Sequence, residues 1–515
     1  MRVFNINKAV GLASSGVEYA QLYRRQLLAE IPGVDDYYVF TDYLGTNLTF
    51  FTDRLGLPRS QVRWIYNIVA GREAAPSTVR LDDFLAAIRQ PHAEPQTFAH
   101  HTEVALAGSG VRYRIRTLAG RIVDRVETLL GDRVLRVEHY DESLNNVEHF
   151  HDGRLARRVF HTADGAVAAE QFYREGEIAR TRITPASPLY DRVIREGRAR
   201  HSTFRGDAVL EGRSQFFRFV FDHLFDRQDD VVIVDRAVDV IDGIYPVIRG
   251  RRLYSIVHAE HYDLRQIEDG VLLWNNHYEH VFTRPDMVDG FVVSTHRQQQ
   301  VLQSQLAERF PVEDFSVVRI PVGFVETHAA VDQYDPLTLV TASRLADEKH
   351  LDVLIRAVAI ARTTLPGLRL DIYGEGDRAP LIAAIEQTGT QDSVRLQGHQ
   401  KLEGLLGAYG LYVTASTSEG FGLSLLEAIA EGLPIVGFDV DYGNREMVEH
   451  GVNGLLVPHT SNANDAGALA AAIVEVLTSG ALDDMRRSSL RKAEAYTAPH
   501  VRELWARLLG EGEPC

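Results

Sequence analysis

A long stretch of period-two alternation set inside an α/β rhythm is the strongest constraint on this chain. From about Phe98 to Arg182 the segments VRYRIRT, RIVDRVETLL, RVLRVEHYD, ARRVFHT and AEQFYREGEI alternate apolar with polar residues, and LAG, GDR, ADG and REG break them. Successive strand side chains point to opposite faces, so the pattern predicts a meander of antiparallel hairpins with one solvated face. Before it, VFNIN, the turn GLASSG, a helical stripe to Ile31, DYYVF (Asp36–Phe40) and QVRWIYN (Gln61–Asn67) read as the opening of a parallel α/β domain. After it the rhythm resumes with a helix near Ser214 to Asp226, strand Val231–Val234, a helix near Val238 to Val247, strand LYSIVH ending at His258, strand Gly290–Ser294 and a helix from His296. The alternating run therefore reads as an insertion.

A second half follows VGFVETHAAVDQYDP. Its strands LTLVTA, LRLDIYG, SVRLQG, LYVTAS and LPIVGF are each followed by a helical stretch, which predicts a second doubly wound sheet. The expected domains are 1–80 and 201–325 for the first Rossmann-like domain and 81–200 for the β-rich insertion. Residues 326–495 are expected to form the second Rossmann-like domain, and 496–515 a C-terminal helix and tail. Two such domains facing one another make a cleft lined by strand carboxyl ends, where ligands of open α/β sheets bind.

Composition narrows the chemistry. The 515 residues leave room for two to four domains at roughly 100–200 each. A net charge of −16 removes the basic field that nucleic acid requires. No run approaches the ~20 apolar residues of a membrane span, and the opening MRVFNINKAVGLASSG has no signal-type apolar core, so a soluble, unsecreted protein is expected. The single cysteine, Cys515, excludes intrachain disulfides and thiolate metal clusters. Chemistry falls to Glu, His, Arg and Lys.

STSEGFGLSLLEAIAEGLPIVGFD, from Ser416 to Asp439, is the most informative segment. A strand ends near Thr414, a glycine-broken loop follows, and a helix begins near Leu423, so the amides of Gly422 and Leu423 can meet an anion. Glu419 and Glu427 can reach one cavity rim, one for a sugar and one for a ribose. They can equally be a solvated loop acid and a dipole-favoured helix acid. In TASRLADEKH, Arg344 and Lys349 at a sheet edge can clamp a diphosphate, or pair with Asp347, Glu348 and other surface acids. Gly11 and Gly16 flank the first helix start without G-x-G-x-x-G spacing or a Walker lysine. His258 closes a buried strand with His261 three residues on; a packed, hydrogen-bonded role is open for both, and they form no zinc pattern. The tract RLQGHQKL and the glycines Gly374 and Gly376 read as loops that either offer backbone groups or simply turn the chain.

In combination, Arg344, Lys349 and the stretch Glu419-Gly-Phe-Gly-Leu-Ser-Leu-Leu-Glu427 resemble the second domain of retaining glycosyltransferases of the two-Rossmann (GT-B) type. NINKAVGLASSGVEYAQLYR, IVHAEHY, VLLWNNHYEH and FDVDYGNREMVEHGVNGLLVP are similar to the catalytic subunits of the bacterial accessory-secretion protein O-GlcNAc-transferases, which start glycosylation of serine-rich-repeat adhesins. The resemblance implies GlcNAc transfer from UDP-GlcNAc to Ser or Thr hydroxyls with retained configuration, no metal cofactor, and a homologous non-catalytic partner subunit. It implies a cytoplasmic site of action, at most peripheral at the membrane. Residue by residue it puts Gly16, Val17, Glu18 and Tyr19 along the diphosphate, His258 near the GlcNAc, and His399 with Gln400 at the uracil. Glu419, Gly420, Phe421 and Gly422, with Leu423 beside them, would hold the sugar, Glu427 the ribose, and Arg344 with Lys349 the diphosphate. Glu419, Arg344, Lys349 and His258 are the expected catalytic set. A teichoic-acid α-glycosyltransferase and a non-catalytic acceptor-binding subunit share the architecture and stand as alternatives.

Overall fold

A computed structural model of the chain describes residues 1–9, 16–200, 208–262, 272–326, 333–460 and 464–510. Gly11 and Cys515 lie outside the described residues. Two compact units emerge, residues 1–18 with 33–255 and residues 19–32 with 256–515.

In the first unit, parallel strands run in the order Arg252–Val257, Val231–Val234, Arg2–Asn7, Asp35–Phe40, Val62–Trp64. Their residues Val3, Ile6, Val39 and the whole of Val231–Val234 are buried, as apolar strands covered on both faces must be. The meander is a ten-stranded antiparallel sheet running from Gln96–Thr97 to Ala208–Glu211. Its last strand comes from beyond the expected insertion boundary at 200, pairing Ala208 with Ile183. At its early end Val104, Ile115, Val123 and Val126 pack with Leu81, while Glu103, Arg114 and Glu127 pair along the other face.

QVRWIYN is not one strand. Val62–Trp64 is extended, and Ile65–Ala70 is a helix with every residue buried. Its β-branched and aromatic residues favour a strand, but Gly71 caps the helix in the left-handed region and its N–H reaches the Asn67 and Ile68 carbonyls. The helix expected over Val238 to Val247 is shorter: Ile241–Ile244, then a 3-10 turn holding Pro246.

In the second unit, Gly290–Val293 pairs with Val317–Arg319. A six-stranded parallel sheet runs Val394–Gly398, Arg369–Tyr373, Asp335–Ala342, Tyr409–Val413, Ile435–Phe438, Gly454–Val457. The last strand, absent from the sequence reading, lies in NGLLVP. The unit's membership crosses the expected boundary at 325 because buried ties hold it. Glu446 accepts from the His296 amide (2.9 Å), the Arg319 guanidinium (2.8 Å) and the Tyr496 hydroxyl (3.0 Å). The closing helix Ala498–Leu508 buries Trp505 beneath the Arg24 guanidinium at 5.5 Å, which joins it to residues 19–32. Among the described residues no single helix is long and apolar enough to cross a membrane.

Candidate active site

The strand Tyr409–Val413 is wholly buried, and the helix Leu423–Ala430 buries Leu425, Leu426, Ala428, Ile429 and Ala430. Each large side chain taken from water there contributes ~1.5–3 kcal/mol, which pins both ends of the intervening loop. Gly422 starts the helix at φ 81° and brings no side chain to cap it, a helix start of the kind that favours an anion.

Glu419 lies in this loop. Its carboxylate meets the Lys349 ammonium at 2.5 Å, and the same ammonium reaches the Ser416 hydroxyl at 3.2 Å. Both side chains are largely withdrawn from solvent, Lys349 to 13% exposure and Glu419 to 19%. They line a small cavity with Ser343, Tyr412, Ser416 and Ser424. The Tyr412 phenol is pushed up to about 12 by burial, so it enters as a neutral hydroxyl, bonded to the Ser424 hydroxyl at 2.9 Å and the Ala342 carbonyl at 3.0 Å.

Two close backbone approaches fix this recess. At Gly420 a Cβ would stand 2.3 Å from the His258 carbonyl oxygen, so only glycine lets the loop lie against the end of strand Arg252–Val257. At Gly374 (φ 146°) a Cβ would fall 1.8 Å from the Ser343 carbonyl oxygen, and the Leu345 amide bonds the Glu375 carbonyl. Gly374 therefore does more than turn the chain: it seats the loop that carries Arg344 and Lys349. His350, left-handed at φ 44°, adds a tie from its Nε2 to the Thr417 hydroxyl at 3.2 Å.

The expected residues divide accordingly. Lys349 and Glu419 come together. Arg344 does not join them; it is 73% exposed and pairs with Glu348 at 2.8 Å, the ordinary surface arrangement. Glu427 sits away from the Glu419 cavity, beside Glu403 and Tyr23; burial first, then the Glu403 charge, raise its carboxyl to about 7. Phe421 packs inward against Tyr496, ring centroids 6.0 Å apart, and Leu423 is half-buried at the helix start. His258 follows its strand, its amide donating to the Tyr278 hydroxyl at 3.0 Å. His261 is fully buried, and burial lowers its imidazole to about 4. His399 and Gln400 are exposed in the loop after Val394–Gly398. Gly16, Val17 and Glu18 form the first turn of helix Gly16–Leu28 in the first unit, where Glu18 lies 3.6 Å from Arg236; Tyr19 is 43% exposed in the second. Sequence reasoning missed Ser416, Tyr412 and Tyr442. Tyr442 stands in the DYGN tract, whose only signal was family likeness.

The two parallel sheets and this site are those of a GT-B glycosyltransferase. Residues 328–494 match the family "Glycosyl transferases group 1". Over 99% of both chains the sequence is 35% identical to the UDP-N-acetylglucosamine–peptide N-acetylglucosaminyltransferase GtfA subunit of Streptococcus gordonii. It superposes on pneumococcal O-GlcNAc transferase GtfA, solved with UDP and GlcNAc, with a TM-score of 0.85 at 32% identity, and on a GtfA/B complex chain with 0.89 at 32%, each over 99% of both chains. The chain belongs to this GtfA family. The poly(ribitol-phosphate) α-N-acetylglucosaminyltransferase of Staphylococcus aureus matches only 55% of this chain, at 26% identity.

Proposed function

We propose that this chain transfers GlcNAc from UDP-GlcNAc to Ser or Thr hydroxyls of a serine-rich protein acceptor, with retention, as the first step of adhesin O-glycosylation. Full-length likeness to peptide N-acetylglucosaminyltransferases carries the reading. In the mechanism the acceptor hydroxyl approaches from the face that UDP leaves, and a phosphate oxygen takes its proton, so no protein nucleophile is needed. Lys349 and the start of helix Leu423–Ala430 stabilise charge on the departing diphosphate. Arg344, on an exposed side chain, swings from Glu348 to join them. Glu419 orients the sugar and holds Lys349 in place before donor binds. His258 approaches the GlcNAc, Gly16 to Tyr19 follow the diphosphate, His399 and Gln400 meet the uracil, and Glu427 takes the ribose hydroxyls. These cations and amides offset the leaving charge without a metal, so activity survives chelation by EDTA.

Likeness to a chain of a GtfA/B complex supports a partner subunit; in this reading the partner is homologous and helps hold the acceptor. The reaction belongs on the cytoplasmic side, with any membrane contact peripheral. The deciding experiment presents the purified chain, alone and with such a partner, with UDP-GlcNAc or UDP-glucose. The acceptors are a Ser/Thr-rich peptide and purified teichoic acid. Preferential GlcNAc transfer to the peptide is expected; transfer to the polymer alone rejects the proposal. A chain that binds peptide but neither hydrolyses nor transfers the donor would be the non-catalytic subunit.

A further inference from the structure

We propose that His261 is a positioning residue for Glu419, acting through Tyr442; the inference rests on the transferase reading of the site. The segment that carries His261 is held from several sides. The Ala259 amide donates to the Tyr278 hydroxyl at 3.1 Å, and the Ala259 carbonyl accepts from Gln298 at 2.9 Å. His261 itself is fully buried, stacked on Tyr442 with ring centroids 5.8 Å apart and on Trp274 at 6.1 Å.

Its two nitrogens do different work. Nε2 lies 2.9 Å from the Gln305 Oε1, an acceptor, so Nε2 carries the proton. Nδ1 is then an acceptor that faces the Tyr442 hydroxyl at 3.3 Å, a hydroxyl that also bonds the Tyr262 side chain. Burial keeps the ring uncharged at neutral pH, so that lone pair persists. Tyr442 is 1% exposed, and its amide and that of Gly443 donate to the Glu419 carbonyl at 3.1 and 2.9 Å. A shift of the Tyr442 ring therefore passes through its backbone to the residue whose carboxylate grips Lys349. A phenylalanine at 261 would fill the space but lose both hydrogen bonds.

The test is Tyr442→Phe, which keeps the ring and removes the hydroxyl, compared with His261→Phe and with both together. Amide hydrogen exchange across 416–422 reads the loop, calorimetry reads UDP affinity, and turnover of UDP-GlcNAc reads chemistry. The expected result is exchange in that loop raised about tenfold, kcat lowered about tenfold, as the loss of one buried hydrogen bond implies, and UDP affinity unchanged. The double variant loses no more than the worse single, because both sit on one chain of contacts. Should His261→Phe not fold, Gln305→Leu breaks the same chain from its far end. Unaltered loop exchange, additive losses, or a fall in UDP affinity matching the fall in kcat overturns the proposal. A wild-type chain without transfer activity overturns the functional reading instead, and the exchange result still decides the relay.

Discussion

On the antiparallel sheet Arg114 reaches Glu103 at 2.9 Å and Glu127 at 3.5 Å; in the loop after Tyr409–Val413, Lys349 reaches Glu419 at 2.5 Å. Both regions pair the same kinds of charge, yet their surroundings differ. Along the sheet the pairs follow strand register, and each member shares its charge among several partners, Glu127 with Arg114, Arg116 and Arg125. Around Glu419 a single pair sits in a recess whose walls are backbone brought close by Gly420 and Gly374. Ion pairs alone do not mark a site; a pair held by close-packed backbone beside a helix start does.

The largest effects should fall on that pair. Lys349→Ala or Glu419→Gln should lower turnover of UDP-GlcNAc by ~10²–10³ with the circular dichroism melt retained, and near-normal turnover in either would erase the contrast with the sheet. Next comes a titration. Between pH 4.5 and 7 the folded Glu427 keeps a proton that the unfolded chain has released, so its contribution to stability declines as pH rises. His261 acts oppositely: below 6.5 the unfolded chain takes a proton that the folded ring accepts only near 4, so its contribution declines as pH falls. The two oppose one another over most of that range. Replacing Glu427 by Gln removes the first, and urea unfolding should then show up to about 3 kcal/mol more gain in stability than wild type from pH 4.5 to 7. An unchanged pH slope would put Glu427 in a more solvated place.

Gly420→Ala drives a methyl into the His258 carbonyl, and a cost of ~1–3 kcal/mol is expected in the thermal melt, with activity falling further than stability. The smallest effect belongs to the sheet: Arg114→Ala should cost less than ~1 kcal/mol and leave turnover unchanged. A large activity loss there would make the charged face part of the machinery.

Much of this architecture is legible in the chain. Buried parallel strands such as VVIV announce themselves as short apolar runs, and the meander announces itself by alternation, because periodicity of burial is written residue by residue. IYNIVA was not legible as a helix, since its residue types favour a strand and only packing with its Gly71 cap decides. At the site, the Glu419 loop and the following helix could be read from glycines and spacing, and Lys349 from its place after a strand. Arg344 looked equivalent to Lys349, yet one turned outward to Glu348 and the other inward to Glu419. Nothing local distinguishes them.

The order of residues thus determined most of the strands, the inserted meander and the segment that carries Glu419 and Glu427, because those depend on neighbours along the chain. Only the tertiary structure decided that Lys349 grips Glu419, that Glu427 rests beside Glu403, and that His261 supports Tyr442. Each depends on distance through space between segments far apart in sequence, which folding sets by burial and close approach.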